Sequence, residues 1–576
     1  MEAEGMDAAV WVSFPSGERR RAALGTVIES LADGMGPLEG PLVAVKVSNE
    51  LLPLSARIEI DAALEPVTIA QSEGVMIYRR SLAFLLAMAA RDVFPGKNLV
   101  VGHSLGNSYY YTLGRGEDSG PEQTPEAETA WEAEREPALG EADVGRLERR
   151  MREIAAEDRP ISAGYLAYAE AAGIFERSGQ RDTLLLLERR NGAKVRVNRC
   201  GDYVNLYVEP LAPRTGILAA FALMPYREGF LLRFPGRGLE MEPFTDSPRI
   251  FEVYREYKKW GRIVGVHSAG DLNRLVAERK IRDFIRMAEA FQARKLSDVA
   301  ARIYEKRRDV KAVLIAGPSS SGKTTTAKRL AVELMVMGME PIAISLDDYY
   351  VGTALTPLDE EGKPDYEALE ALDIPFLNGQ LLDLFRGREV TLPAYDFKTG
   401  TRREGGGRTL RMGRRSVLIL EGIHGLNDNL TPEIERALKF KLYVSALTQL
   451  NLDDHNRIPT SDNRLLRRMV RDYQFRGAGA VKTIQMWPNV QRGEWKHIFT
   501  HQDSADAAFN SALDYELSVL KFYAEPLLHT VKPNQSEYTE ASRLLAFLEN
   551  FAPIPPQYVP GQSILREFIG DSDFKY

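Results

Sequence analysis

A chain of 576 residues exceeds what one hydrophobic core organises, so roughly two to four domains are expected. With 44% hydrophobic and 27% charged residues it is built like an ordinary soluble globular protein, and a net charge of -7 argues against a chain that coats nucleic acid or an anionic membrane. One cysteine, Cys200, excludes an intrachain disulfide and any multi-cysteine zinc site. The opening MEAEGMDAAV lacks the basic and then apolar run of an export signal, and SLAFLLAMAA is too short to span a bilayer. The expectation is a cytoplasmic enzyme with no membrane partner.

In chain order, residues 1–70 alternate short β-like runs (AVWVSF, PLVAVKVS, ARIEI) with turns and one helical stretch at GTVIESLADGM, the pattern of a small α+β domain. A second α+β domain is expected over 71–240. It holds the helical run SLAFLLAMAARDVF, ended by Pro95 and Gly96, the aromatic strand SYYYTL and the helical DVGRLERRMREIAAE. Strand-like runs follow at TLLLLE, AKVRVN, YVNLYVE, GILAAFALM and FLLRF. Between them, residues 115–140 are acidic, rich in Pro, Gly, Ser and Thr and poor in branched apolar residues, which predicts a mobile insert. Residues 241–310 are helical and highly charged, a connector. A βαβ pattern occupies 311–552, and PIPPQYVPGQ opens a Pro-rich tail over 553–576.

The strongest chemical signal is LIAGPSSSGKTTTAKRL. Gly317, Gly322, Lys323 and Thr324 fit the G-x-x-x-x-G-K-[ST] phosphate-binding loop, between an apolar strand-like run and a helix-forming segment from Thr324 to Met337. Glycines let backbone N–H groups converge on phosphate oxygens, and the helix N-terminus adds partial positive charge. The stretch Gly317, Pro318, Ser319, Ser320, Ser321, Gly322, Lys323, Thr324 and Thr325 is therefore the expected ATP (or GTP) cradle, with Lys323 on the β- and γ-phosphates and the Thr324 hydroxyl on Mg²⁺. The bland alternative is a Gly/Ser-rich turn.

The next strand, PIAISL, ends in Asp347-Asp348, and in a right-handed βαβ unit that end lies on the same sheet edge as the loop. A carboxylate there can take the proton of an attacking hydroxyl or hold the metal; an acidic turn is the structural alternative. SVLILEG ends in Glu421 at the same edge, read as a metal ligand or else as an orienter of Lys323. In NRLLRRMVRDYQFRGAGA, Arg464, Arg468 and Arg471 share a helical face, as a lid bringing cations to a transferring phosphoryl group would require. A solvated face or an RNA contact would use similar residues.

GPSSSGKTTT, SLDDYY, PDYEALEALD, LPAYDFKTGTR, VLILEG and RRMVRDYQFRG, in this order over about 311–480, resemble the uridine kinase family of P-loop nucleoside kinases. The resemblance implies a parallel α/β sheet flanked by helices and ATP-dependent transfer to the 5'-hydroxyl of a nucleoside. It implies that Asp347 is the base, Tyr350 lines the site, Glu367 meets the ribose, Tyr395 and Phe397 hold the nucleobase, and Arg468, Arg471 and Arg476 are lid arginines. This chain has Gly400 where the family commonly has a base-reading histidine and Ala478 where a further arginine follows the lid glycine, so base preference stays open. The related phosphoribulokinase-like kinases share the skeleton and would accept a sugar phosphate. Homo-oligomers are common in the resembled family.

Residues 7–70, then EGVMIYRRSLAFLLAMAARDVFPGKNLVVGHSLGNSYYYTL and VNLYVEPLAPRTGIL, resemble the N-terminal part of threonyl-tRNA synthetase, a β-grasp-like TGS domain followed by an editing-type domain. The editing pocket's four hydrolytic or metal-capable positions are here Arg80, Phe84, Tyr207 and Leu211, so the domain is read as catalytically degenerate. A scaffold, a regulatory sensor or a binding surface is expected, with RNA or tRNA as one partner and a nucleotide-switched RNA-associated protein as the rival class. His497 and His501, four apart, lack the H-E-x-x-H context of a metal site and read as packing or surface residues.

Overall fold

The strand Ala9–Ser13 (β1) buries Val10 and Val12 and exposes Ala9 and Trp11, the period of two that a sheet with one solvated face demands. In this computed structural model, which describes residues 9–115, 139–190, 192–358, 362, 364–396, 399–403 and 405–575, β1 opens a sheet with Arg19–Ala23 (β2), Leu42–Val47 (β3), Glu50–Leu52 (β4) and Ala62–Thr68 (β5). The strand order is β2-β1-β5-β3-β4, with β1 and β5 parallel. GTVIESLADGM forms a 3₁₀-helix, Ile28–Met35, whose Ile28, Leu31 and Met35 close that core.

The chain divides into two compact units, one of residues 1–279, 449–458 and 525–552, the other of 280–448, 459–524 and 553–576. In the first, the helix Ser72–Val93 is buried along most of its length. Its core also takes in the helix Glu141–Ala156 and the sheet β11-β12-β7-β6, built from Lys97–Ser104 (β6), Ser108–Arg115 (β7), Ala222–Tyr226 (β11) and Gly229–Arg233 (β12). Ser162–Ala167 (β8), Lys194–Cys200 (β9) and Tyr203–Leu206 (β10) form a second antiparallel sheet. Residues 449–458 are a strut of this unit: Asp454 accepts from Asn98 at 2.9 Å, Asp453 from Thr183 at 3.2 Å, and Asn451 donates to the carbonyl of Val101 at 2.7 Å.

TLLLLE, expected as a strand, lies in a helix, Arg181–Glu188. Only its threonine is β-branched, and leucine favours helix wherever partners lie on one face. The partner is the helix Ala269–Ala277, where Gly270 admits Leu185 so closely that a Cβ would stand 2.5 Å from the Leu185 Cβ. GILAAFALM is a strand only from Ala222 onward. The connector expected over 241–310 divides: Pro248–Val264 and Ala269–Ala277 belong to the first unit and Ile281–Glu305 to the second. The acidic insert of 115–140 lies almost wholly outside the described residues.

The second unit is built on a five-stranded, all-parallel sheet of order β14-β19-β13-β20-β21: Ala312–Ala316 (β13), Glu340–Ser345 (β14), Ser416–Glu421 (β19), Lys439–Ser445 (β20) and Ala507–Asn510 (β21). β13 is buried at every position, as expected of a central parallel strand covered on both faces. Between β14 and β19 run the helix Ile374–Phe385 and four short strands, Val390–Thr391 (β15), Ala394–Asp396 (β16), Thr401–Arg403 (β17) and Thr409–Leu410 (β18), paired β15 with β18 and β16 with β17. Helices Ile281–Glu305, Lys323–Val336, Thr460–Arg476, Ala480–His497 and Glu516–Leu528 supply the rest, the last crossing into the first unit at its C-terminal end. Among the described residues no helix is long and apolar enough to cross a membrane.

Candidate active site

The loop between β13 and the helix Lys323–Val336 is bent by Ser320 (φ 58°) and Gly322 (φ 78°), both left-handed. Gly317 is required for a different reason: a Cβ there would meet the carbonyl oxygen of Val444 at 1.8 Å. Lys323 follows at the first helical position, its ammonium donating to the Pro318 carbonyl at 3.2 Å. Loss of water lowers its pKa, while Glu421, Glu567, Asp347 and Glu494 oppose that shift, so four carboxylates favour its charged form.

Register brings the acids together. Glu421, the last residue of β19, pairs with Ser345 of β14 and Ile315 of β13, and its Oε1 accepts from the Thr324 hydroxyl at 3.2 Å. Desolvation pushes its carboxyl up to about 7 despite the Lys323 charge. Asp347 sits two residues beyond β14, in the 3₁₀ turn Leu346–Tyr349, with its N–H on the Ser345 hydroxyl at 3.3 Å. Solvent reaches Asp347 in the cleft although neighbouring atoms crowd it; that crowding raises its pKa, with Lys323 and Arg476 pulling the other way and Asp348 adding to it. Asp348 faces elsewhere, accepting from the Tyr395 N–H at 3.4 Å.

On the acceptor side the Tyr350 ring lies 5.4 Å from that of Tyr395, and its hydroxyl donates to the Tyr366 carbonyl at 3.0 Å. Glu367 abuts Gly493, where a Cβ would approach its Oε2 to 2.8 Å, and burial together with Glu494 pushes its carboxyl up to about 7. Gly400 has φ 67°, and a Cβ would strike the Thr353 hydroxyl at 2.2 Å; that hydroxyl accepts from Tyr366 at 2.9 Å. Val351–Leu355 and Thr399–Arg402 line an open cavity of about 540 Å³ here. Phe397 lies outside the described residues.

The arginines separate into two sets. Arg464 is buried in a two-pronged pair with Glu494, its Nη2 at 2.8 Å, and Arg467 in another with Glu516, its Nε at 3.2 Å, so both are internal ties. Arg464 shares the helical face read as a lid, but its pairing removes it from that role. Arg468 donates to the Ser319 hydroxyl at 2.7 Å. Arg468, Arg471 and Arg476 stand 3.3, 2.8 and 3.7 Å from Asp472, which gathers them on one side of the helix.

Asp472, Glu494 and Glu567 carry no motif, and reasoning from sequence missed all three. Glu494 accepts from the Ser319 N–H at 2.7 Å, and Glu567 from the Thr325 N–H at 3.1 Å. No group of three or more His, Cys, Asp or Glu side chains among the described residues forms a metal cluster. His497 lies against His424, ring to ring at 5.3 Å.

Residues 312–518 match the family model described as Phosphoribulokinase / Uridine kinase family. The N-terminal half is similar to threonine–tRNA ligases, 30% identical over 214 residues to that of Marinobacter nauticus and 30% over 221 residues to that of Symbiobacterium thermophilum. These matches take in 37% and 38% of this chain, and the chain spans under a third of the length of those relatives, 30% and 31%. Among solved structures, one described as a possible uridine kinase from Bacillus stearothermophilus is 21% identical (TM-score 0.24; 38% of this chain, 98% of that one). The D-glycerate 3-kinase of Cryptococcus neoformans var. grubii is 15% identical (TM-score 0.20; 44% and 87%). Loop, strand-end acids and family match agree: residues 312–518 are a P-loop kinase segment of the Phosphoribulokinase / Uridine kinase family, joined in one chain to a region similar to the N-terminal part of threonine–tRNA ligases.

Proposed function

We propose that this kinase transfers the γ-phosphoryl group of ATP or GTP to the 5'-hydroxyl of a nucleoside of the uridine or cytidine type, giving the nucleoside monophosphate. The observation that carries the reading is the adjacency of Asp347 and Glu421 at the carboxyl ends of neighbouring parallel strands, both acting on the charge of Lys323. In this reading a bond forms between the 5'-oxygen and the γ-phosphorus, the bond from that phosphorus to the β,γ-bridging oxygen breaks, and the hydroxyl proton passes to Asp347. Lys323 and the arginines around Asp472 neutralise charge on the phosphates.

Thr324 and Glu421 offer two hard oxygen donors side by side, the chemistry Mg²⁺ takes when phosphate and water oxygens complete its shell. When bound there, Mg²⁺ supplies charge neutralisation on the phosphates. Tyr350, Tyr395 and Glu367 would face base and ribose. A second reading, a sugar or sugar-phosphate acceptor, is favoured by Gly400, whose position Thr353 closes to any base-reading side chain.

Purified protein, labelled ATP and a panel of nucleosides and sugar phosphates test both. Phosphorylation of a pyrimidine nucleoside supports the first reading, transfer only to sugars the second. Nucleotide hydrolysis indifferent to every acceptor but stimulated by tRNA would overturn both in favour of an RNA-associated switch. A cytoplasmic setting and homo-oligomeric assembly belong to the same proposal, with sedimentation as the measure of the latter.

A further inference from the structure

The C-terminal segment reaches the phosphate cradle, which its Pro-rich composition does not signal. Ile564, Leu565 and Phe568 are wholly buried in the second unit. Ile564 lies over the loop, 2.5 Å from where a Cβ on Gly322 would stand, and the Phe568 ring lies 4.9 Å from the Arg467 guanidinium. Arg566 folds the segment on itself by donating to the carbonyls of Pro556 and Val559, at 3.1 and 2.7 Å, and Lys328 donates to the carbonyl of Lys575.

This anchoring aims one side chain at the cradle. Glu567 Oε2 accepts from both donors of Thr325, the N–H at 3.1 Å and the hydroxyl at 2.5 Å. Thr325 is buried at the third position of the helix Lys323–Val336, so its N–H belongs to the first turn, whose amides a P-loop presents to phosphate. A carboxylate oxygen on two such donors offers them what a phosphate oxygen would. Glu567 is only half-buried, on the rim of a buried anchor, so its side chain can swing to solvent while Ile564 and Phe568 stay in place. Glu494, by contrast, is 1% exposed and tied to Arg464 where it holds the Ser319 N–H.

We propose that Glu567 is an internal phosphate mimic, whose carboxylate occupies the Thr325 donors and must leave them before a nucleotide phosphate can bind there. Two anions do not share one pair of donors in a site screened from water, so the contact is autoinhibitory for nucleotide entry. The proposal rests on the loop being the nucleotide site, and its test separates the two claims. Full-length wild type, E567Q and E567A are titrated by calorimetry with ATP, with inorganic triphosphate and with adenosine, and their melting temperatures are recorded without nucleotide. E567Q keeps the size of the side chain and an acceptor, so it decides the matter should E567A fold poorly. The expected result is about tenfold tighter binding of ATP and triphosphate by the folded variants, with adenosine unmoved. Unchanged or weaker ATP binding by E567Q while wild type binds normally overturns the proposal and leaves the nucleotide site standing. An equal gain for adenosine also overturns it, since the gain would not lie at the phosphates. No binding by any of the proteins overturns it together with the reading on which it rests.

Discussion

The cradle of the second unit and the helix Ser72–Val93 of the first each converge several functional positions on one spot, with opposite results. At the positions matching the synthetase editing pocket, Phe84 is 5% exposed and meets the Tyr203 ring edge-on at 5.0 Å, while Tyr207 lies under the Arg196 guanidinium at 4.4 Å. Leu211 is buried, and Arg80 is neutralised by Glu209, which Arg543 also approaches at 3.5 Å. Every ring is packed and every charge met. In the cradle, Lys323, Asp347, Glu367 and Glu421 all have displaced pKa values because desolvation outweighs their partners. The editing-like positions are filled by packed rings and a paired cation, whereas the cradle holds an ammonium and several carboxylates close together and short of water.

That contrast predicts which substitutions cost activity and which cost stability. With Asp347 as the proposed base, Asp347→Asn should lower kcat by roughly a hundred- to ten-thousand-fold, with ATP affinity retained, in a single-turnover assay with the preferred acceptor. Stability should hold or rise slightly, because a crowded carboxylate has been relieved. Retained turnover would move the base elsewhere. Phe84→Ala should do the reverse, costing about 3–5 kcal/mol in denaturant unfolding of the first unit by opening a cavity, with no effect on phosphoryl transfer beyond that loss. A kinase defect in Phe84→Ala protein that is still folded would erase the distinction between the two regions.

The cradle was legible in the sequence because phosphate binding imposes its spacing over nine consecutive residues, and the strand-end acids because each closes an apolar run. What escaped notice comes from far along the chain. Glu494 and Glu567 reach the loop across 175 and 242 residues, and nothing local distinguishes them from surface glutamates. Arg464 looked like a lid residue because helical spacing fixes a face but not what covers it; Glu494 decides that. The helix at TLLLLE was hidden for a similar reason, since a short leucine run has no period and part of its packing comes from Gly270 on a distant helix.

Within the arginine helix the comparison sharpens further. Arg467→Ala should destabilise the second unit by about 3–5 kcal/mol, since it strands the Glu516 carboxylate in the interior. Arg476→Ala lies at the exposed end and should leave the melting transition within about 0.5 kcal/mol of wild type while slowing turnover. Equal melting losses in the two variants would mean that the arginines form one structural cluster.

The smallest expected effect is a pH dependence confined to the second unit. Glu367 is pushed from 4.5 up to about 7, by burial first and then by Glu494, with Arg468 and Lys323 opposing. Between those two values the folded protein holds a proton that the unfolded chain has released, so stability falls as pH rises across the interval. The contribution is fully present below pH 4.5 and is lost as the pH passes about 7. Because Glu367 is partly open to the cleft, solvent screening reduces the effect to about 1 kcal/mol. Glu367→Gln fixes the uncharged form and should flatten the pH slope of the melting transition that ATP raises. An unaltered slope would show that Glu367 is ionised throughout, its charge held by Arg468, and would align it with the neutralised residues of the first unit.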